Sequence, residues 1–208
     1  MDNLICKSAF HIQPANKKNI FIGYTILNDN LSLDIILECN TSKRNIILKY
    51  SQWENFTKEN TFESIFNNLS VNNHSKSHWY KLDDDFYYRI KTNSDSIILL
   101  KDDKRVKLNR DNLYRIRLWN DLINAKILEK SNKLHMYQSC FKNACSNIKN
   151  DISHLPVECH RSDFISSYIQ DYKFDFENIE MDEQKTFLLE LQKIHHEQFA
   201  DVLIKSLL

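Results

Sequence analysis

Alternation in Phe86-Tyr87-Tyr88-Arg89-Ile90-Lys91 gives an extended segment two unlike sides. Period two puts Phe86, Tyr88 and Ile90 on one face and Tyr87, Arg89 and Lys91 on the other, so one face pairs an aromatic ring with two cations. Rings stack on unpaired bases, worth about 1–3 kcal/mol per base, while cations follow the phosphates. Trp79 and Lys81 repeat the pairing on the preceding run, and Lys101, Lys104, Arg105 and Lys107 add positive charge around the next hairpin. Together these are the candidate nucleic-acid-contacting residues. The competing reading is a solvated sheet face that uses Tyr and Lys for strand propensity and solubility.

Other chemistry finds less support. Gly23 is the only glycine, and phosphate loops, dinucleotide-binding turns and nucleophile elbows all need glycine where backbone approaches ligand or takes positive φ. Cys140, Cys145 and Cys159 with His154 and His160 could be drawn as a zinc site, but Cys140 and Cys145 already fit an apolar helical stripe, and no Cys-X-X-Cys knuckle is present. Cys6 and Cys39 are read the same way, as small apolar residues. His195 and His196 are adjacent on a helical pattern and point about 100° apart, so one faces an interface and the other solvent. Asp83-Asp84-Asp85 and Asp102-Asp103 could hold a divalent ion in a nuclease, and read more simply as solvated turns. No catalytic residue, metal or cofactor is expected.

Lys and Arg balance Asp and Glu at 28 each, yet unevenly along the chain. Residues 1–134 hold 21 basic against 16 acidic side chains, and residues 135–208 hold 7 against 12. A basic body with an acidic extension suits a nucleic-acid binder whose tail competes for its own groove or recruits partners, and chance fluctuation is the alternative. The first residues, Met1-Asp2-Asn3-Leu4-Ile5-Cys6-Lys7, lack the pattern of a secretory signal, and no apolar run approaches a membrane span. A nuclear or cytoplasmic, non-secreted protein is expected. Abundant Asn, Lys and Ile beside scarce Gly and Pro fit an AT-rich genome, such as that of an insect virus or a parasite.

These residues need elements to position them. Ile20–Leu27, Leu31–Cys39 and Asn45–Lys49 read as strands, the first two joined by an Asn28-Asp29-Asn30 turn, with Gly23 a bulge or point of close backbone approach. A helix from about Gln52 to Leu69 follows, Ser51 its N-cap candidate, and then a polar linker over residues 70–77. Trp79–Leu82, Phe86–Lys91, Ser96–Lys101 and Arg105–Leu108 read as further strands, and Asp111 would cap a helix to about Glu129. From Leu134 the period is helical: Tyr137, Cys140, Phe141, Ala144, Cys145 and Ile148 share a face. A break at Pro156, a short helix through Phe164–Tyr172 and a last helix from about Asp182 complete the chain.

One pattern occurs twice. Ile46-Ile47-Leu48-Lys49-Tyr50-Ser51-Gln52-Trp53 and Val106-Lys107-Leu108-Asn109-Arg110-Asp111-Asn112-Leu113 both run from a strand through a polar junction into a helix opened by a large apolar residue. The fold class is therefore α+β: two tandem antiparallel sheet-plus-helix units, about 10–70 and 78–130, in a strand-strand-strand-helix body over 1–133. A helical acidic region over 134–208 follows.

Ile46-X-Leu48 with Trp53, and Val106-X-Leu108 with Leu113, make the junction resemble that of the single-stranded-DNA-binding domain of the positive cofactor four coactivators. Two such units in one chain is also the plan of the Whirly proteins. The resemblance covers roughly residues 10–130, and the family's glycines and prolines near the junction are missing. It implies a transcription or replication cofactor, here of viral type. The expectation is a non-enzymatic binder of single-stranded DNA or RNA, with a homodimer and a protein partner for the acidic helices as further candidate contacts and no membrane. The alternative is a structural or host-interaction protein acting through protein contacts alone.

Overall fold

The computed structural model describes residues 4–13, 17–27, 30–70, 78–91, 94–159, 162–176, 179 and 181–207. The turn residues Asn28 and Asp29, most of the expected linker (71–77) and His160 lie outside them. The fold is α+β, with two antiparallel four-stranded sheets and six helices among the described residues. The first sheet orders β1 (Ile5–His11), β2 (Lys18–Leu27), β3 (Asn30–Cys39) and β4 (Arg44–Leu48). The second orders β5 (Tyr80–Asp83), β6 (Phe86–Ile90), β7 (Ser96–Lys101) and β8 (Lys104–Asn109). Both are meanders followed by a helix; the first unit has four strands where three were expected, and the second has the four read from its sequence. β1 was not foreseen, and the strand expected at Trp79 begins one residue later.

The duplicated junction is duplicated in space. β4 leads into α1 (Tyr50–Thr57) and β8 into α3 (Arg110–Ser153). The caps fall two residues earlier than expected. Lys49 N–H donates to Gln52 Oε1 at 3.1 Å, and Asn109 N–H donates to Asn112 Oδ1 at 3.1 Å. In the second copy the exchange is reciprocal, with Asn112 N–H donating to Asn109 Oδ1 at 2.9 Å, the arrangement of a capping box. Ser51 and Asp111 are both second residues of their helices and do not cap them.

The helix expected over 52–69 is two. It breaks at Lys58, whose ψ of 138° leaves the helical range, and α2 runs Glu59–Ser70. Trp53 and Phe56 lie nearly opposite Phe62, Ile65 and Leu69 around a continuous helix, so only a break lets both sets be buried. The rings of Phe56 and Phe62 then meet at 5.5 Å, and Phe56 meets Phe86 of the second sheet at 6.2 Å. Conversely, the helices expected around a polar stretch near 130 are one. No Gly or Pro interrupts 110–153, and α3 stops three residues short of Pro156. Lys130 in that stretch is buried, its Nζ bonded to Cys6 O, and its carbonyl accepts the Tyr24 hydroxyl at 2.7 Å.

The chain divides into two compact lobes: Ser8–Ile22 with Asp34–Glu129, and Met1–Lys7, Gly23–Leu33 and Lys130–Leu208 together. The lobes divide α3 at Lys130, whereas the helical region was expected from residue 134, and the helical lobe also takes parts of β1, β2 and β3. The reason is burial. Ile5, Tyr24 and Leu31 belong to one cluster with Tyr137, Phe141, Phe187 and Phe199. In that lobe Gly23 fits the close approach expected of it: a Cβ there would lie 2.9 Å from Ile5 O. Its helices after α3 are α4 (Ser162–Asp171), α5 (Asp182–Ile194) and α6 (His196–Leu207), the last pair replacing the single final helix expected. His195, at the joint, is 2% exposed, while His196 is half-buried. Gln192 is buried there, and its Nε2 donates to the Ile169, Gln170 and Tyr172 carbonyls, closing the C-terminal end of α4. Among the described residues no helix is long and apolar enough to cross a membrane.

Candidate nucleic-acid interface

Strand pairing sorts the second sheet into two faces. Phe86, Tyr88, Ile90, Ile97, Leu99, Val106 and Leu108 are buried on the inner one. On the other, register aligns Lys81 of β5 with Tyr87 of β6, Tyr87 with Leu100 of β7, and Leu100 with Arg105 of β8. The neighbouring row runs Arg89, Ile98 and Lys107. Each row therefore carries a cation on β8, and the first also carries one on β5, with half-buried apolar groups between them. At about 4.8 Å per strand, Lys81 and Arg105 stand about 14 Å apart.

The outward groups are held in place. The Arg89 guanidinium lies over the Trp79 ring, 4.8 Å from its centroid, and Trp79 itself is 37% exposed just before β5. The Tyr87 hydroxyl donates to Asp84 O at 2.8 Å, which fixes its ring against the sheet. Lys81 pairs with Asp84 at 2.9 Å; that hydrogen bond raises the pKa of its ammonium, and both groups are solvent-exposed. Lys91 follows β6 and is exposed, as are Lys104, Arg105 and Lys107.

Lys101 departs from the expected set. It pairs with Phe86 in register, so it falls on the inner face, 8% exposed. Its ammonium binds Asp85 Oδ2 at 2.6 Å, and Gln52 Nε2 donates to Asp85 Oδ1 at 2.6 Å. The hydrogen bond from Lys101 holds the Asp85 carboxyl below its ordinary pKa, ahead of the opposing effect of desolvation. Lys101 therefore joins a structural ion pair, and Lys104, its partner across the β7–β8 turn, shares its side of the sheet, so the outward face keeps Trp79, Lys81, Tyr87, Arg89, Lys91, Arg105 and Lys107. The acidic runs do not converge on a metal either: among the described residues no three His, Cys, Asp or Glu side chains cluster for one.

Lys18 was missed. Its Nζ donates to Asn112 Oδ1 at 2.8 Å; burial lowers its pKa, Cys39 opposes that, and the charge of nearby Lys107 lowers it further. No spacing in 14–19 marks it, because its neighbours are brought by β8 and α3. In the first unit, Lys49 is committed to buried Asp34 at 2.7 Å, whereas Lys43 and Arg44 are exposed at the start of β4. No family model, curated protein or solved structure matches the chain.

Proposed function

We propose that the protein is a non-enzymatic binder of single-stranded nucleic acid whose outward second-sheet face carries the contact. One observation carries this reading: the cross-strand row Lys81, Tyr87, Leu100, Arg105, beside a row in which Arg89 is stacked on Trp79. Apolar and aromatic groups flanked by cations offer stacking to bases and neutralisation to phosphates, with no hydrogen-bond code for sequence. A role as a transcription or replication cofactor belongs to the same proposal. Fluorescence anisotropy with a labelled single-stranded oligonucleotide over a salt series tests it. Log affinity falls linearly as log salt rises; no binding at low salt overturns the reading.

A second reading has its own observation. Tyr114, Leu118 and Leu122 follow one another at i+4 along α3 and are 50%, 77% and 61% exposed. An apolar stripe of this kind suits a protein contact. Sedimentation over a concentration range, with Leu118→Lys as control, separates self-association from none.

A further inference from the structure

The turn before β4 and the hairpin between β7 and β8 hold equivalent places in the two repeats, and β4 packs beside β8. Lys43 and Asp103 are both left-handed, with φ of 50° and 61°, and each is followed directly by a cation. Between the two turns lies a cleft of about 420 Å³, lined by Lys43, Arg44, Asn45, Asp103, Lys104 and Arg105. Four cations face a single carboxylate there, and all four are exposed. Glu38, across from Asn45 on β3, is buried and stands outside the lining.

Such a concentration of like charge on two short turns costs repulsion that a bound anion relieves. The two guanidinium groups offer planar forks that match phosphate oxygens, and the two ammonium groups add point charge. Arg105 belongs both to the cleft and to the row Lys81, Tyr87, Leu100, so the cleft opens at the end of the outward face.

We propose that this cleft is a phosphate-binding site assembled by the equivalent turns of both repeats, its ligand the phosphate backbone of a strand lying over the second sheet or a free polyphosphate of the same chemistry. The backbone version rests on the function proposed above and extends it by making the first repeat a participant. The site separates from that reading by experiment.

The test measures oligonucleotide anisotropy across a salt series, and tripolyphosphate binding by calorimetry, for wild type, Lys43→Ala/Arg44→Ala and Asp103→Asn. Lys43 and Arg44 lie outside the core, and Asn tolerates the left-handed conformation of residue 103. Binding to the double variant becomes about tenfold weaker, with a salt slope shallower by about 1.4, two phosphate contacts at about 0.7 each. Asp103→Asn tightens binding about two- to fivefold, a gain that misfolding cannot imitate. Oligonucleotide binding that neither variant alters overturns the cleft and leaves the sheet face standing. Tripolyphosphate binding lost in the double variant, with no oligonucleotide binding in wild type, supports the cleft as a free-anion site and overturns the proposed function. Absence of both overturns both.

Discussion

Gln52 and Asn112, sixty positions apart, perform the same act: each accepts through its side-chain oxygen the backbone N–H of the residue three before it, at 3.1 Å. Gln52 spends its remaining donor on Asp85, and Asn112 donates to Ile12 O at 3.1 Å while also accepting from Lys18. The repeat is thus conserved in its polar geometry as well as its apolar spacing. The two partners differ in depth, since Asn112 is 1% exposed and Gln52 6%.

That difference predicts unequal costs. Asn112→Ala strands a half-buried N–H and a buried carbonyl, and lowers stability by about 3 kcal/mol. Gln52→Ala loses one cap and one bond to a half-exposed carboxylate, about 1 kcal/mol. Urea denaturation measures both; equal losses would mean that the second junction is no more deeply anchored than the first.

The β7–β8 turn places Asp102 and Asp103 at φ of 48° and 61°, the two left-handed central residues of a type I′ turn. Non-glycine residues pay for this conformation, and glycine does not. Asp102→Gly therefore stabilises the protein by about 1 kcal/mol, read as a higher urea midpoint at unchanged slope. A lower midpoint would show that the 3.9 Å contact of Asp102 with Lys101 outweighs the strain.

On the outward face, Arg89→Ala and Lys91→Ala lower oligonucleotide affinity and flatten its salt dependence by about 0.7 each. Tyr87→Ala weakens binding by about 1–3 kcal/mol with the slope little changed, because stacking releases no counterions. Lys101→Ala leaves the slope as it is and lowers stability instead. Salt-series anisotropy on these variants decides, and identical slopes for all would remove this face from the site.

Burial, and then the charge of Glu190 beside it, pushes the Cys6 thiol up to about 12 from its ordinary 9.0. The folded state keeps a proton that the unfolded chain releases near 9.0, so this contribution is whole below that pH and fades as pH rises toward about 12. Stability consequently falls along that alkaline limb, and less steeply in Cys6→Ala. In the native protein Cys6 resists iodoacetamide near pH 8 and reacts on unfolding, which mass spectrometry of the labelled peptides reports.

Local order alone determined much of this protein. The two strand-to-helix junctions and the opposed faces of β6 are legible because apolar period and polar punctuation act between near neighbours. Pairing decided the rest. Ile97–Leu100 is an unbroken apolar run, so neither face of β7 declares itself, and only the opposition of Lys101 to Phe86 turns that ammonium inward to Asp85. Likewise Lys130 sits in a polar stretch that reads as a boundary, and it stays helical and buried through bonds to Cys6 and Tyr24, more than a hundred residues away. Lys104 and Arg105 stand out in the sequence as cations of one hairpin, and only the packing of β4 beside β8 brings Lys43 and Arg44 to them. Burial and ion pairing depend on which distant segments meet, and in this chain those meetings are set by the packing of whole elements rather than by the residues along any one of them.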